Sequence, residues 1–453
     1  MAPETDKPTR AKRRIRVWHV LLVLVVALVA VVLVLRWHWR SELSRRIEAL
    51  AAAGYPVTPE ELDASYTWPV SDENGADWVL GASTYFLQLA EEDHRALRDI
   101  LGWPNRSGVR ALPDDVRSLL VQHIQTNAKA LELLHRCAAI EESRYPIDLS
   151  KGLMMLIPSI GDVRQCCLLL CFEAVLCVEE GDPEGAIDAI EAAIGVARTL
   201  RSEPAFISQL VYMAMTHFTT ATAERLLCQC ELTDAQLDRV AQAVSRAYEP
   251  GAALRGLVGI QCLNLELFMR PASIDPDGFH EFPPEAVVDL YSALGLAARE
   301  GVVFLDVMAE CLAAAQQPTS ERCRASAAIE ARSRELSKSS VLLRYAEVPW
   351  YLLKAEVRSL ACVRCSQVAL AVERYRLGRG RLPETLAELV PDYLDGVPQD
   401  PYDGGPLRYK RLEQGFVVYS VGEDGVDEGG KERPGREDGK PEETYDLTFV
   451  VTR

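Results

Sequence analysis

The sequence predicts a mainly α protein: an N-terminal transmembrane helix, a long helical ectodomain, and a small C-terminal α+β domain with a short antiparallel sheet. Three observations predict it. Val17 to Leu35 is an almost unbroken apolar run. Ser41 to Leu377 shows helical periodicity, punctuated by helix start and stop signals. After Gly380 the pattern changes to short β-prone runs between Gly, Pro and acidic residues. Of the 453 residues 48% are hydrophobic and 25% charged, the mix of a folded chain rather than a disordered one. The 49 basic and 66 acidic side chains leave a net charge of −17. That argues against nucleic acid as the main partner, because a duplex needs a basic face.

The apolar run reads VWHVLLVLVVALVAVVLVL, and His19 is its one clearly polar residue. At 1.5 Å rise per residue it spans roughly 28 Å, the thickness of a bilayer's hydrocarbon core. A helix satisfies its own backbone hydrogen bonds and so can cross lipid. Trp18 at one end, and Trp37 and Trp39 beyond the other, take interfacial positions. The expected organisation is a basic cytoplasmic tail (1–16), a transmembrane helix (17–36), a helical domain (37–345) and a C-terminal domain (346–453). Six basic residues, Lys7, Arg10, Lys12, Arg13, Arg14 and Arg16, precede the run, and four, Arg36, Arg40, Arg45 and Arg46, follow it. By the positive-inside bias the N-terminus stays in the cytoplasm and the bulk is exported. A cleaved signal peptide is the alternative. The run is longer than a usual signal core and ends in Arg36-Trp37-His38-Trp39-Arg40 rather than small residues, which favours an uncleaved anchor.

In the helical middle, Thr58-Pro59-Glu60-Glu61 and Thr233-Asp234-Ala235-Gln236 read as capping boxes. Gly181-Asp182-Pro183 reads as a helix stop and restart. Residues 164–200 therefore form a helical hairpin with a tetratricopeptide-like turn, although no 34-residue period recurs. Four prolines and a Gly make 270–285 a loop. Asp275 and Asp277 in it suit ordinary turn chemistry better than an ion site.

Cys166, Cys167, Cys171 and Cys177 fall within one helical stretch and read as small buried hydrophobes. No zinc-ligand spacing accompanies them. Cys362-Val363-Arg364-Cys365 lies inside a helix, whereas a redox pair needs a helix N-terminus to stabilise its thiolate, so it too reads as core. His123 and His135 are twelve apart and form no metalloprotease motif. No catalytic motif appears in a usable context.

The last hundred residues carry the most specific pattern. A long helix ends at Gly378-Arg379-Gly380, a short helix covers Leu386 to Leu389, and strands are expected at 407–409, 416–419 and 447–451. The first two strands flank Glu413-Gln414-Gly415 as a hairpin. Several motifs occur in order: Leu370-Ala371-Val372-Glu373-Arg374-Tyr375, Gly380-Arg381-Leu382-Pro383, Val397-Pro398-Gln399-Asp400-Pro401, Tyr409, Tyr419-Ser420-Val421-Gly422-Glu423-Asp424-Gly425 and Tyr445-Asp446-Leu447. On these residues the segment 350–453 resembles the C-terminal domain of the major pseudopilin of type II secretion systems. It departs from that family in its membrane segment. A pseudopilin's apolar helix runs directly into its globular domain, and here over 300 residues intervene. No Gly cleavage site precedes Val17 and no Glu lies early in the run, so leader processing is not expected.

The resemblance implies a calcium ion held by Ser420, Asp424 and Asp446, with loop carbonyls completing the shell and Asp427 as a further acidic candidate. Calcium takes six to eight oxygens, a demand such residues can meet. Glu423 to Asp446 holds ten acids and four bases, a local charge of −6 that a cation would relieve. A solvated acidic loop is the plain alternative. The function expected is a non-enzymatic envelope protein, a helical scaffold linked to secretion, with protein partners and the lipid bilayer as its contacts. A membrane-tethered hydrolase with an unrecognised site in the helical region, and a divergent pseudopilin subunit, are the rivals.

Overall fold

The computed structural model describes residues 10–71, 73–101, 112–157, 159–271, 282–433 and 444–452. Among these are fifteen α-helices and one three-stranded antiparallel sheet near the C-terminus. The helices are α1 (Arg10–Ala52), α2 (Pro59–Ser65), α3 (Gly75–Ser83), α4 (Glu91–Ile100), α5 (Asp114–Thr126), α6 (Ala128–Cys137), α7 (Ser159–Glu180) and α8 (Pro183–Arg198). They continue as α9 (Phe206–Gln229), α10 (Asp234–Arg246), α11 (Ala252–Met269), α12 (Glu285–Ala293), α13 (Leu296–Ala315), α14 (Thr319–Lys338) and α15 (Tyr351–Arg379). The strands are β1 (Arg408–Leu412), β2 (Gly415–Ser420) and β3 (Leu447–Thr452).

The start and stop chemistry acts largely as expected. Thr58 accepts the Glu61 amide at 3.2 Å, but Glu61 returns to Val57 N rather than to its own cap. Thr233 and Gln236 close a full capping box. Gly181, at φ +72°, ends α7, and Asp182 caps α8 by accepting Gly185 N. The turn is two residues long, so α7 and α8 fold back on each other. Gly380, at φ +69°, ends α15.

The helix that carries the apolar N-terminal segment extends beyond it at both ends. One unbroken helix runs from Arg10 to Ala52. From Trp18 to Leu35 it is bare, with Val32 alone half-buried, and this stretch is long and apolar enough to cross a membrane. Beyond Arg36 the same helix joins the body: Leu43 is buried, and Trp39, Ile47 and Leu50 pack on the core. A second helix, α11, is also long and apolar enough, but 72% of it is buried inside the protein, as in a core helix.

Two hydrophobic clusters fill the body. The larger takes in the end of α1 and parts of α2, α3, α5, α6, α7, α11, α13 and α14. The smaller takes in α8, α10, the later part of α15 and the inner face of the sheet, including Phe416, Val418, Phe449 and Val451. Helices α7, α8, α9 and α15 contribute to both, so the core continues across the boundary near 345. Eighteen of the 29 residues of α15 are buried.

The sheet order is β1-β2-β3, and the β1–β2 hairpin turns on Glu413 and Gln414. Gly415 closes it at φ +122°, where a Cβ would lie 1.9 Å from the Val451 carbonyl oxygen, so glycine is required. The free edge of β3 is covered. Glu224 on α9 accepts Val450 N at 2.7 Å, and Cys228, one turn on, donates its thiol to the Val450 carbonyl at 3.3 Å. A helix thus blocks strand addition at that edge.

Candidate functional site

The acidic end of the sheet begins with Asp400, in the Gln399-Asp400-Pro401 turn, which is fully buried. Its Oδ1 accepts the Ser420 hydroxyl at 2.7 Å and Tyr402 N at 2.9 Å. Its Oδ2 accepts Val421 N at 2.9 Å and Arg408 Nη1 at 2.7 Å. Arg408 also binds Asp403 and lies 3.5 Å from Asp427. Its guanidinium holds the Asp403 carboxyl below the usual range. Asp400 and Arg408 therefore fasten the turn to the end of β2, a role that no feature of the sequence beyond the motif signalled.

Asp446, just before β3, is 1% exposed. Its oxygens accept the amides of Glu428 at 3.3 Å, Gly430 at 2.7 Å and Lys431 at 3.2 Å. Burial raises its pKa, the three amides oppose that, and the neighbouring Glu428 carboxylate adds to it. Both carboxylate oxygens of Glu428 are buried without a hydrogen-bond partner among the described residues. Asp424 is exposed and accepts Val426 N at 3.1 Å. Asp427 accepts Gly429 N at 2.9 Å.

The three expected ligands therefore stand differently. Asp446 faces inward beside Glu428, an acid the sequence reading did not single out. Ser420 is turned onto Asp400. Asp424 points outward. Glu428 and Asp446 are acidic neighbours, and carboxylate oxygens are the donors a calcium ion takes. The Ser420 hydroxyl gives its proton to Asp400, which leaves its oxygen lone pairs as acceptors. Most of the 431–443 insertion, and Asp275 and Asp277, lie outside the described residues.

Other residues read from sequence sit in the core. No disulfide joins any of the twelve cysteines among the described residues. Burial pushes the Cys166 thiol up to about 12, and Cys362 and Cys365 are 6% and 1% exposed within α15. These are not the electropositive, accessible settings of reactive thiols. His123 is buried between Phe86 and Phe172 and lies 3.2 Å from Asn127 Nδ2. His135 meets Glu173 at 2.8 Å, and that hydrogen bond raises its pKa. The two histidines thus serve different partners. A groove of about 440 Å³ opens between the segment before α7, the start of α9 and the middle of α11. Leu153, Met155, Ile157, Phe206, Ile260 and Leu263 line it, with no titratable side chain among its wall residues.

A second polar cluster is buried under α2. Glu203 is fully enclosed and accepts the Ser208 hydroxyl, with the Tyr66 hydroxyl beside it. Burial pushes its carboxyl up to about 7, against those two hydroxyls, which favour the anion. Tyr66 in turn accepts Tyr145 N at 3.0 Å, and Arg144 stacks over the rings of Tyr66 and Trp68. Gln209 Nε2 donates to the carbonyls of Leu200, Arg201 and Glu203. The connection from α8 to α9 is therefore held rigidly from inside.

Compared with protein-family models, with curated proteins and with solved structures, the chain finds no match.

Proposed function

We propose that the chain is a single-pass membrane protein of the cell envelope, with a cytoplasmic N-terminus and an exported body that works by binding protein partners rather than by catalysis. One observation carries the reading. The bare apolar stretch and the docked stretch belong to one continuous helix, so the body is set rigidly against the end of the anchor. A flexible linker, as a cleavable leader would leave, does not fit that arrangement. The six-to-four excess of basic residues before the span supports the orientation. The pseudopilin-like C-terminal unit supports a link to secretion. Its stem-like helix α15 is enclosed by α9, α10, α11 and α14, which favours a scaffold over a subunit whose stem packs in a filament.

Two results are expected. The full-length chain stays with the membrane pellet after alkaline carbonate washing, with its N-terminal peptide intact by mass spectrometry. A reporter that works only in the cytoplasm, fused after Arg453, stays inactive. Recovery of the intact chain in the supernatant, or an active reporter, overturns the anchor or its orientation respectively.

Calcium at the Glu428–Asp446 pair belongs to the same reading, and the resemblance together with the orphaned Glu428 oxygens supports it. Calcium at a hundredfold excess over its dissociation constant stabilises a folded chain by about 2.7 kcal/mol. Millimolar calcium is therefore expected to raise the Tm of the detergent-solubilised protein and to leave Glu428→Gln unmoved. Equal shifts in wild type, Glu428→Gln and Asp424→Ala would remove the ion from the account.

A further inference from the structure

The order of contacts between α1 and α13 fixes where the body meets the bilayer. A Cβ placed on Gly295, the residue before α13, would lie 2.7 Å from the Arg36 Cα. One on Gly301 would lie 3.2 Å from Leu43 Cδ1. Further on, Asp306 pairs with Arg46. Residue numbers rise together on both helices, so α1 and α13 run side by side in the same direction. Arg36 is the first residue after the apolar run. The start of α13 therefore stands at the edge of the span, and the rest of α13 leads away from it. Val32, one turn into the span on the face that carries Arg36, is half-buried, so the body reaches slightly past that edge.

The short helix α12 ends at this corner. Val288 is its buried residue, and Tyr291 donates to Glu300 on α13 at 2.5 Å. Its outer side is apolar and bare: Val287 is 45% exposed and Leu290 61%. The neighbour of Leu290, Tyr291, meets Glu300, which stands five residues beyond Gly295 along α13, about 7.5 Å from the edge by helical rise. The headgroup layer of one leaflet is about 5–8 Å deep. Exposed Arg40 and Arg299, with Arg36 and Trp37, surround the same corner, the residue types that suit an interface of lipid headgroups. Asp289 lies about 100° around the helix from Leu290 and keeps such contact shallow.

We propose that the α12–α13 corner is a second lipid-contacting element, which rests Leu290 and Val287 in the headgroup layer and fixes the tilt of the body against the bilayer. This rests on the anchor reading above. The partner is a phospholipid surface, met by an apolar edge ringed with arginine and tryptophan.

The test uses the full-length chain in native membranes with benzoylphenylalanine introduced singly at Leu28, Leu290 or Ala51. Leu28 is in the span. Ala51 is exposed on the same helix, about 22 Å beyond Arg36 by helical rise. After irradiation, phospholipid adducts are measured by mass spectrometry. Position 290 is expected to give at least tenfold more adduct than position 51 and to come within a few-fold of position 28. Adduct at 28 with 290 no higher than 51 overturns the proposal and leaves the anchor standing. Adduct at 290 formed to protein instead of lipid overturns it in favour of a protein partner on this face. No lipid adduct at 28 overturns the anchor reading, and this proposal with it. Leu290 is exposed, so its replacement is not expected to disturb folding; the carbonate-resistant yield of each variant checks that.

Discussion

Gly259→Ala is expected to destabilise the protein by about 3 kcal/mol, and to lower yield from membranes accordingly. The residue lies in α11, where a methyl group would sit 1.6 Å from the Pro204 carbonyl oxygen. An atom that close must displace something. Pro204 belongs to the connection between α8 and α9, whose carbonyls are held by Gln209 Nε2 at 2.6 to 3.3 Å. That connection cannot retreat without breaking buried hydrogen bonds, and α11 cannot retreat without opening the larger core. A matched control is Gly161→Ala in α7, where an added Cβ meets nothing within 4 Å. There the same change is expected to be neutral or to stabilise by up to about 1 kcal/mol, because glycine costs a helix backbone entropy. Urea denaturation of the detergent-solubilised chain measures both. Equal stabilities for the two variants would mean that the contact of α11 with Pro204 is not a close one.

The second large effect is pH-dependent. Glu203→Gln is expected to stabilise the protein at pH 8 and to leave it unchanged near pH 4. The carboxyl titrates at about 7 when folded, against an ordinary value of 4.5. Between those values the folded chain holds a proton that the unfolded chain has lost, so stability falls as pH rises through this window. Below it both states are protonated, and above it the full cost of a buried carboxylate is present. The displacement corresponds to on the order of 3 kcal/mol at pH 8. Glutamine keeps an oxygen to accept the Ser208 hydroxyl and carries no charge at any pH. Other acids titrate in both proteins and cancel in the difference. A wild-type-minus-variant stability that does not change between pH 4 and 8 would show that Glu203 does not titrate in this range.

Both effects arise in the short connection before α9, and no pattern in the sequence marks either. Leu200 to Ala205 has no motif. Its importance comes from what packs on it: Gly259 lies 55 residues after Pro204, and Tyr66 lies more than 130 before Glu203. The same holds at the acidic end of the sheet. The sequence pointed to Ser420, Asp424 and Asp446 through a resemblance, and two of these, Ser420 and Asp446, proved to be deeply buried. Glu428 and Arg408 drew no attention because a glutamate in an acidic loop, or an arginine in a strand, looks like any solvated charge. Only the fold reveals that Glu428 has buried oxygens and that Arg408 neutralises Asp400.

What the sequence determined by itself was local in origin. Periodicity marked the helices, Thr58, Asp182 and Thr233 marked their starts, Gly181 and Gly380 their stops, and two short β-prone runs the hairpin at Glu413 and Gln414. The apolar stretch before Arg36 was legible because hydrophobic length is a property of consecutive residues. The tertiary structure alone decided that this stretch continues stiffly to Ala52 against α13. It also decided that α15 lies enclosed among other helices and that α9 covers the edge of β3. Those outcomes depend on side chains tens to hundreds of residues apart meeting at van der Waals or hydrogen-bond distance, and no short window of sequence carries that information.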